Sequence, residues 1–102
     1  MKNQAIARQG GMGRLMLPAR FDIMSTAEYR ISFARFVKDA ATNRLEVDFA
    51  QLEYIDSLGI GTLLSWDSTC RKSGKSLVLK ACPPTTLKLF RLAGVDGLFT
   101  YS

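Results

Sequence analysis

The sequence predicts an α/β fold: a single small domain over residues 1–102, with a mostly parallel or mixed β-sheet of four to five strands and helices packed on it. Two patterns carry this expectation. Segments of apolar–polar alternation take turns with segments of helical periodicity, and strands separated by helices need crossover connections, which make neighbouring strands parallel. Length agrees, because 102 residues with 47% hydrophobic content suffice for one core and leave no room for a second domain.

The elements follow in order. "GGMG", residues 10–13, reads as a hairpin or flexible turn. "RLMLPARFD", residues 14–22, alternates weakly around Pro18 and is expected as a strand that is broken or lies near an edge. "STAEYRISFARFVKDAA", residues 25–41, opens with Ser25 and Glu28 at capping-box spacing. Its Tyr29, Phe33, Phe36, Val37 and Ala40 recur at helical spacing, so this helix is expected to lay an aromatic face on the sheet. Arg30, Arg35, Lys38 and Asp39 fall off that stripe and are expected to meet water.

"RLEVDFA", residues 44–50, alternates Leu45, Val47 and Phe49 with Glu46 and Asp48, the pattern of a half-covered strand. A helix is expected from Ser57 to about Lys72, stopped by Gly74 with Arg71 and Lys72 near its negative end. "KSLVLKA", residues 75–81, is the next strand. Pro83 and Pro84 permit only a loop or a first helical turn, so a short helix over residues 84–93 follows and Gly94 ends it. "LFTYS" closes the chain as an extended piece.

Composition excludes several chemistries. The sequence has no histidine, which removes the usual proton shuttle and the commonest metal ligand. Cys70 and Cys82 lack ligand spacing and sit among apolar residues, so they are expected as buried, reduced thiols. No cofactor or metal is implied. The formal charge of +5 is spread over Lys2, Arg8, Arg14, Arg20 and cations further on, with only Arg71, Lys72 and Lys75 close together. That cluster reads as the basic end of a helix, and no nucleic-acid partner is expected. No apolar run reaches the ~18 residues of a membrane span, and the first residues lack a secretory signal, so the chain is expected in the cytoplasm without membrane insertion.

Two motifs are decoys. "SGKS", residues 73–76, resembles the end of a phosphate-binding loop, but Thr69 occupies the first glycine position and the order runs from helix to strand. "GGMG" lacks the third glycine of a dinucleotide fingerprint and leads into no helix.

"YIDSLGIGTLL", residues 54–64, remains. Ser57 lacks the base that a nucleophile needs, so the chain is not expected to be an enzyme. Asp56 or Ser57 can cap the helix by accepting a backbone N–H, worth ~1 kcal/mol. Capping does not explain Gly59 and Gly61 just behind them. A glycine costs roughly 1 kcal/mol inside a helix, so the pair implies close approach of another backbone, a partner or a bulky charged group. Ser57 also stands at a helix end that tolerates phosphate, where modification would add ~1.5–2 negative charges. On the residues alone, capping and modification both stand. Further along the helix, Leu63, Trp66 and Cys70 share a stripe expected against the sheet, while Ile60 and Leu64 form a neighbouring stripe either packed inward or open to a partner.

Residues 45–99 resemble the STAS family and, within it, the bacterial anti-sigma factor antagonists. The features that carry the resemblance are the strand ending in Asp48, the "DSLGIG" motif, the "SGKSLVL" turn and strand, and the last helix closing with Gly94 and Leu98; "GRLMLPARFD" looks like the family's early strand and turn. The resemblance implies a non-catalytic module that binds a kinase-like anti-sigma partner through the helix beginning at Ser57. It also implies that this serine kinase-like partner phosphorylates Ser57, that the modified form is released, and that a metal-dependent serine phosphatase restores it. Asp56 matches the adjacent family acid, which orients the serine or assists the kinase reaction. The implied docking surface comprises Asp56, Ser57, Leu58, Gly59, Ile60, Gly61 and Leu64, with Leu58 standing where the family often has a small or polar residue. A second role implied by the same family is a constitutive STAS subunit of a membrane lipid-transport or other transporter complex, docked on an ATPase without modification.

Overall fold

The computed structural model describes residues 6–102. Of the cations named above, Lys2 lies outside them. Strand β1 (Ala7–Gln9) turns at Gly10, whose φ of +63° suits a residue without a side chain, into β2 (Met12–Met16). "GGMG" is thus half turn and half strand. Pro18 interrupts the next segment as expected, and the chain resumes as β3 (Arg20–Phe21). Helix α1 spans Thr26–Lys38, β4 Arg44–Asp48, β5 Tyr54–Ile55, α2 Ser57–Lys72, β6 Ser76–Lys80 and α3 Pro84–Leu92. The closing segment is not wholly extended: a 3-10 turn at Asp96–Leu98 precedes β7 (Thr100–Tyr101).

Five strands form a mixed sheet in the order β1-β2-β4-β6-β7, antiparallel only between β1 and β2. The register aligns Leu15, Val47 and Leu79 on one face, and Leu45 with Leu77 beside them. These pack in one core with Tyr29, Phe33 and Phe36 of α1, Leu63, Trp66 and Cys70 of α2, and Phe90 of α3. Phe33 and Trp66 stack at 4.8 Å between centroids, joining the first two helices.

Four expectations need correction. The Ser25–Glu28 capping box does not form: the Ser25 hydroxyl donates to the Arg20 carbonyl at 2.7 Å and accepts the Asp22 N–H at 3.1 Å, bracing the turn before α1. Helix α1 stops at Lys38, so Ala40 falls in the following turn and is exposed, and Val37 is half-buried. That end is sealed by Lys75, whose ammonium donates to the Asp39 carbonyl at 2.8 Å and to the Thr42 carbonyl. Strand β4 is buried on both faces: Glu46 lies between Arg14 at 3.2 Å and Arg44 at 3.7 Å, and Asp48 accepts the Ala50 N–H at 2.8 Å. Of the two free thiols, Cys70 is buried but Cys82 only half-buried.

A second, two-stranded sheet positions the site. β3 and β5 pair in parallel, Arg20 with Tyr54 and Phe21 with Ile55, so the chain reaches Asp56 from a fixed direction. Phe21 is fully buried, edge-on to Tyr29 and 5.8 Å from the Trp66 ring. The Arg20 guanidinium lies 4.3 Å above the Tyr54 ring.

Candidate functional site

The first turn of α2 is built by an extended residue followed at once by helix. Asp56 has φ −103° and ψ −176°, and its carboxylate accepts the Gly59 N–H at 2.8 Å. Asp56 is therefore the N-cap and satisfies one of the unpaired donors of the helix end. Ser57, one residue later, is exposed and its hydroxyl engages no other group among the described residues. The side chain has no structural task. It stands at the positive end of a 16-residue helix whose first turn carries no other acid.

The two glycines behind Ser57 have opposite surroundings. A Cβ on Gly59 would stand 2.3 Å from the Phe21 carbonyl oxygen and 2.7 Å from Ile55 Cγ1, so Gly59 lets β3 lie against the helix. It is buried, and the close backbone approach that it permits is to β3 of the same chain. Gly61 is exposed, with nothing within 4 Å of where its side chain would be. Nothing within the fold requires that absence of a side chain.

The other candidates differ in exposure. Leu58 is 38% exposed, beside Ser57. Ile60 and Leu64 are half-buried against the core, so their stripe is largely inward. Leu63, Trp66 and Cys70 face the sheet. Outward on α2 are Ser57, Leu58, Gly61, Ser65 and Ser68, and in its last turn Arg71 and Lys72.

Two residues of this end escaped the sequence reading. The turn after Phe21, braced by Asp22 and Ser25, exposes Ile23 by 69% and Met24 by 86%. The turn belongs to the same end of the molecule, because the Phe21 carbonyl is what Gly59 accommodates. The available signal was "DIMS", two large apolar residues inside a polar turn.

The basic and thiol groups have other employment. Arg71 binds Asp67 at 2.7 Å and the Leu98 carbonyl at 3.3 Å, and Lys75 is held by the Asp39 and Thr42 carbonyls just past α1. The "SGKS" lysine therefore serves a helix end. Burial, reinforced for Cys70 by the nearby Asp67 carboxylate, pushes both thiols up to about 11. Neither is a nucleophile at neutral pH. No helix among the described residues is long and apolar enough to cross a membrane.

Comparison with known proteins places this geometry. A family model described as "Mlab, STAS domain" matches residues 5–100. An anti-sigma-factor antagonist (STAS) domain protein from Planctomyces limnophilus superposes with a TM-score of 0.83 at 12% identity, over 98% of this chain and 89% of that one. The Bacillus cell fate determinant SpoIIAA, in its phosphorylated form, superposes with a TM-score of 0.72 at 18% identity, over 92% of this chain and 85% of that one. The murine anion transporter Slc26a9, in its inward-facing state, matches with a TM-score of 0.75 at 18% identity; the match covers 89% of this chain and 15% of the transporter.

Proposed function

The chain belongs to the STAS domain family, and from that premise we propose that it is a phosphorylation-controlled binding module of a bacterial partner-switching pathway, acting as an anti-sigma factor antagonist. In this reading the unmodified Ser57 form binds an anti-sigma, serine kinase-like partner in the cytoplasm. The partner phosphorylates Ser57 and releases the product, and a metal-dependent serine phosphatase returns it to the binding form. The protein is substrate and ligand, not catalyst.

One observation carries the proposal: Asp56 caps α2, which leaves Ser57 exposed at the electropositive helix end with no structural duty. The chemistry of the switch follows from that position. A neutral hydroxyl packs against a partner at little cost. A phosphate brings ~1.5–2 negative charges that must be desolvated on docking, and it sits next to the Asp56 carboxylate. The helix end moderates the repulsion within the free protein, so the fold tolerates the phosphate while the interface does not. Capture from a kinase active site also needs an accessible, unengaged hydroxyl, which is what Ser57 offers.

Intact mass and site mapping of the protein purified from its own cells test this reading. A phosphorylated fraction with the phosphate on Ser57, removed by a metal-dependent serine phosphatase, is the expected result. Modification elsewhere, or none under any growth condition, refutes it.

The likeness to part of an anion transporter supports, at the level of an association with transporters, a second reading; in it the chain is a constitutive subunit of a transporter complex, docked on the ATPase of that complex. Stable co-purification with such an ATPase, indifferent to Ser57→Ala and Ser57→Asp, selects that reading over the switch.

A further inference from the structure

We propose that the outward face of α2, with the grooves on either side of it, receives an acidic amphipathic helix of the partner protein laid along α2. The inference rests on reading α2 as the docking helix and adds the chemistry of what docks.

Relief comes first. On one side, a groove of about 390 Å³ separates α1 from α2; Leu58 and Gly61 form its lip, Ser65 and Thr69 its wall, and the edges of Phe33 and Trp66 its floor. On the other side, a second groove runs between α2 and the 3-10 turn, past Leu64, Ser68 and Leu98. The ridge between them is low, because Gly61, Ser65 and Ser68 are small and exposed. Small side chains let a second helix approach closely, and apolar lips beside the ridge give it surface to bury.

Charge identifies the occupant. The first groove carries one charged group, Arg30, and the second is rimmed by Lys72 beyond the Asp67–Arg71 pair. Neither Arg30 nor Lys72 has an acidic partner among the described residues. The single acid of α2, Asp67, is buried and held by Arg71, so beyond the Asp56 cap the outward face is neutral from Ser57 to Ser68 and cationic at Arg30 on one rim and Lys72 at its far end. A helix with apolar residues toward the lips and carboxylates toward Arg30 and Lys72 complements that pattern. A second copy does not: it would bring the same unpaired cations, on a chain already at +5. Nor do stacked bases fit, since Phe33 and Trp66 are stacked on each other and buried.

The test introduces a photo-cross-linking residue into the full chain at Ser65, at Leu58 and, as a control on a different element, at Thr85, and maps the cross-linked peptides from the protein's own cells. The proposal expects Ser65 to capture a helical segment bearing Asp or Glu. Arg30→Glu is then expected to reduce that product at least tenfold, and a compensating acid-to-lysine change in the captured segment to restore it. Circular dichroism of the variant establishes that its fold is kept. Capture of a second copy, of nucleic acid or of a segment without acids overturns the proposal. So does an Arg30→Glu yield equal to that of the parent, or no product from Ser65 in a Ser57→Ala background, where the unmodified form persists. Products from Leu58 without any from Ser65, in cells where Ser57 is phosphorylated, refute the groove and leave the switch intact; an acidic helix at Ser65 in cells where Ser57 is never modified does the reverse.

Discussion

Asp56 and Gly59 are joined by a hydrogen bond of 2.8 Å from the Gly59 N–H to the Asp56 carboxylate, and this bond assigns the duties of the "DS" pair. The acid holds the helix, and the neighbouring hydroxyl is left to the surface.

That division predicts unequal consequences for stability. Asp56→Ala removes the cap and is expected to cost ~1 kcal/mol, seen as a melting temperature lower by about 4–8 °C for a domain of this size. Ser57→Ala is expected to stay within ~0.5 kcal/mol of the parent in the same thermal unfolding experiment. A larger loss for Ser57→Ala than for Asp56→Ala contradicts the assignment.

The two glycines of the motif are expected to separate just as clearly. Gly59→Ala drives a methyl group toward the Phe21 carbonyl oxygen, a backbone atom that can move only with β3, and is expected to cost on the order of 3 kcal/mol. Gly61→Ala meets open space and gains helix propensity, so it is expected to stabilise by up to ~1 kcal/mol. Urea unfolding of the two variants measures both.

The contrast marks how far the sequence could be read. Alternation and helical spacing located the five main segments, and the bounds of α2 match because Asp56 and Gly74 are local signals at its two ends. The three-residue β1 and the two-residue β5 carry too little pattern to announce themselves, and β3 showed only as the far end of a strand broken at Pro18. Ser25 misled because its hydroxyl has two uses at the same spacing, a helix cap or a turn brace, and only the position of Arg20 decides between them. Gly59 and Gly61 look alike in sequence; what separates them is Phe21, 38 residues upstream of Gly59, which no local pattern reports.

Lys75 ties the turn after α2 to the end of α1 through the Asp39 and Thr42 carbonyls. Lys75→Met keeps the length of the side chain and loses the charged donor, with an expected cost of about 1.5–3 kcal/mol. Hydrogen exchange is expected to rise first at the Thr42 and Asn43 amides, which follow that helix end; unchanged exchange there refutes the clamp.

The thiols make a kinetic prediction. Raising a thiol from 9.0 to about 11 lowers its thiolate fraction at pH 8 about a hundredfold, and the greater nucleophilicity of the more basic thiolate returns part of that, so alkylation of Cys70 and Cys82 is expected to be roughly tenfold or more slower in the native protein than in denaturant. Burial slows Cys70 further. Equal rates for native and unfolded protein contradict the packing described.

Acid dependence is expected at Asp39, whose carboxyl is held below its ordinary value by the Ala41 N–H first and by Arg8 after it. A carboxyl with a lowered folded-state pKa contributes stability above its unfolded value of ~3.9, lost as pH falls through the folded value. Asp39→Asn is therefore expected to flatten the decline of stability below about pH 4, read by urea unfolding between neutral and strongly acidic pH.

The switch itself is tested most directly by the affinity of the identified partner for two forms of this chain, one with phosphoserine incorporated at position 57 and one unmodified, measured side by side by calorimetry. The account predicts that the phosphorylated form binds at least a hundredfold more weakly while both forms melt within a few degrees of each other. Equal affinity of the two forms contradicts it.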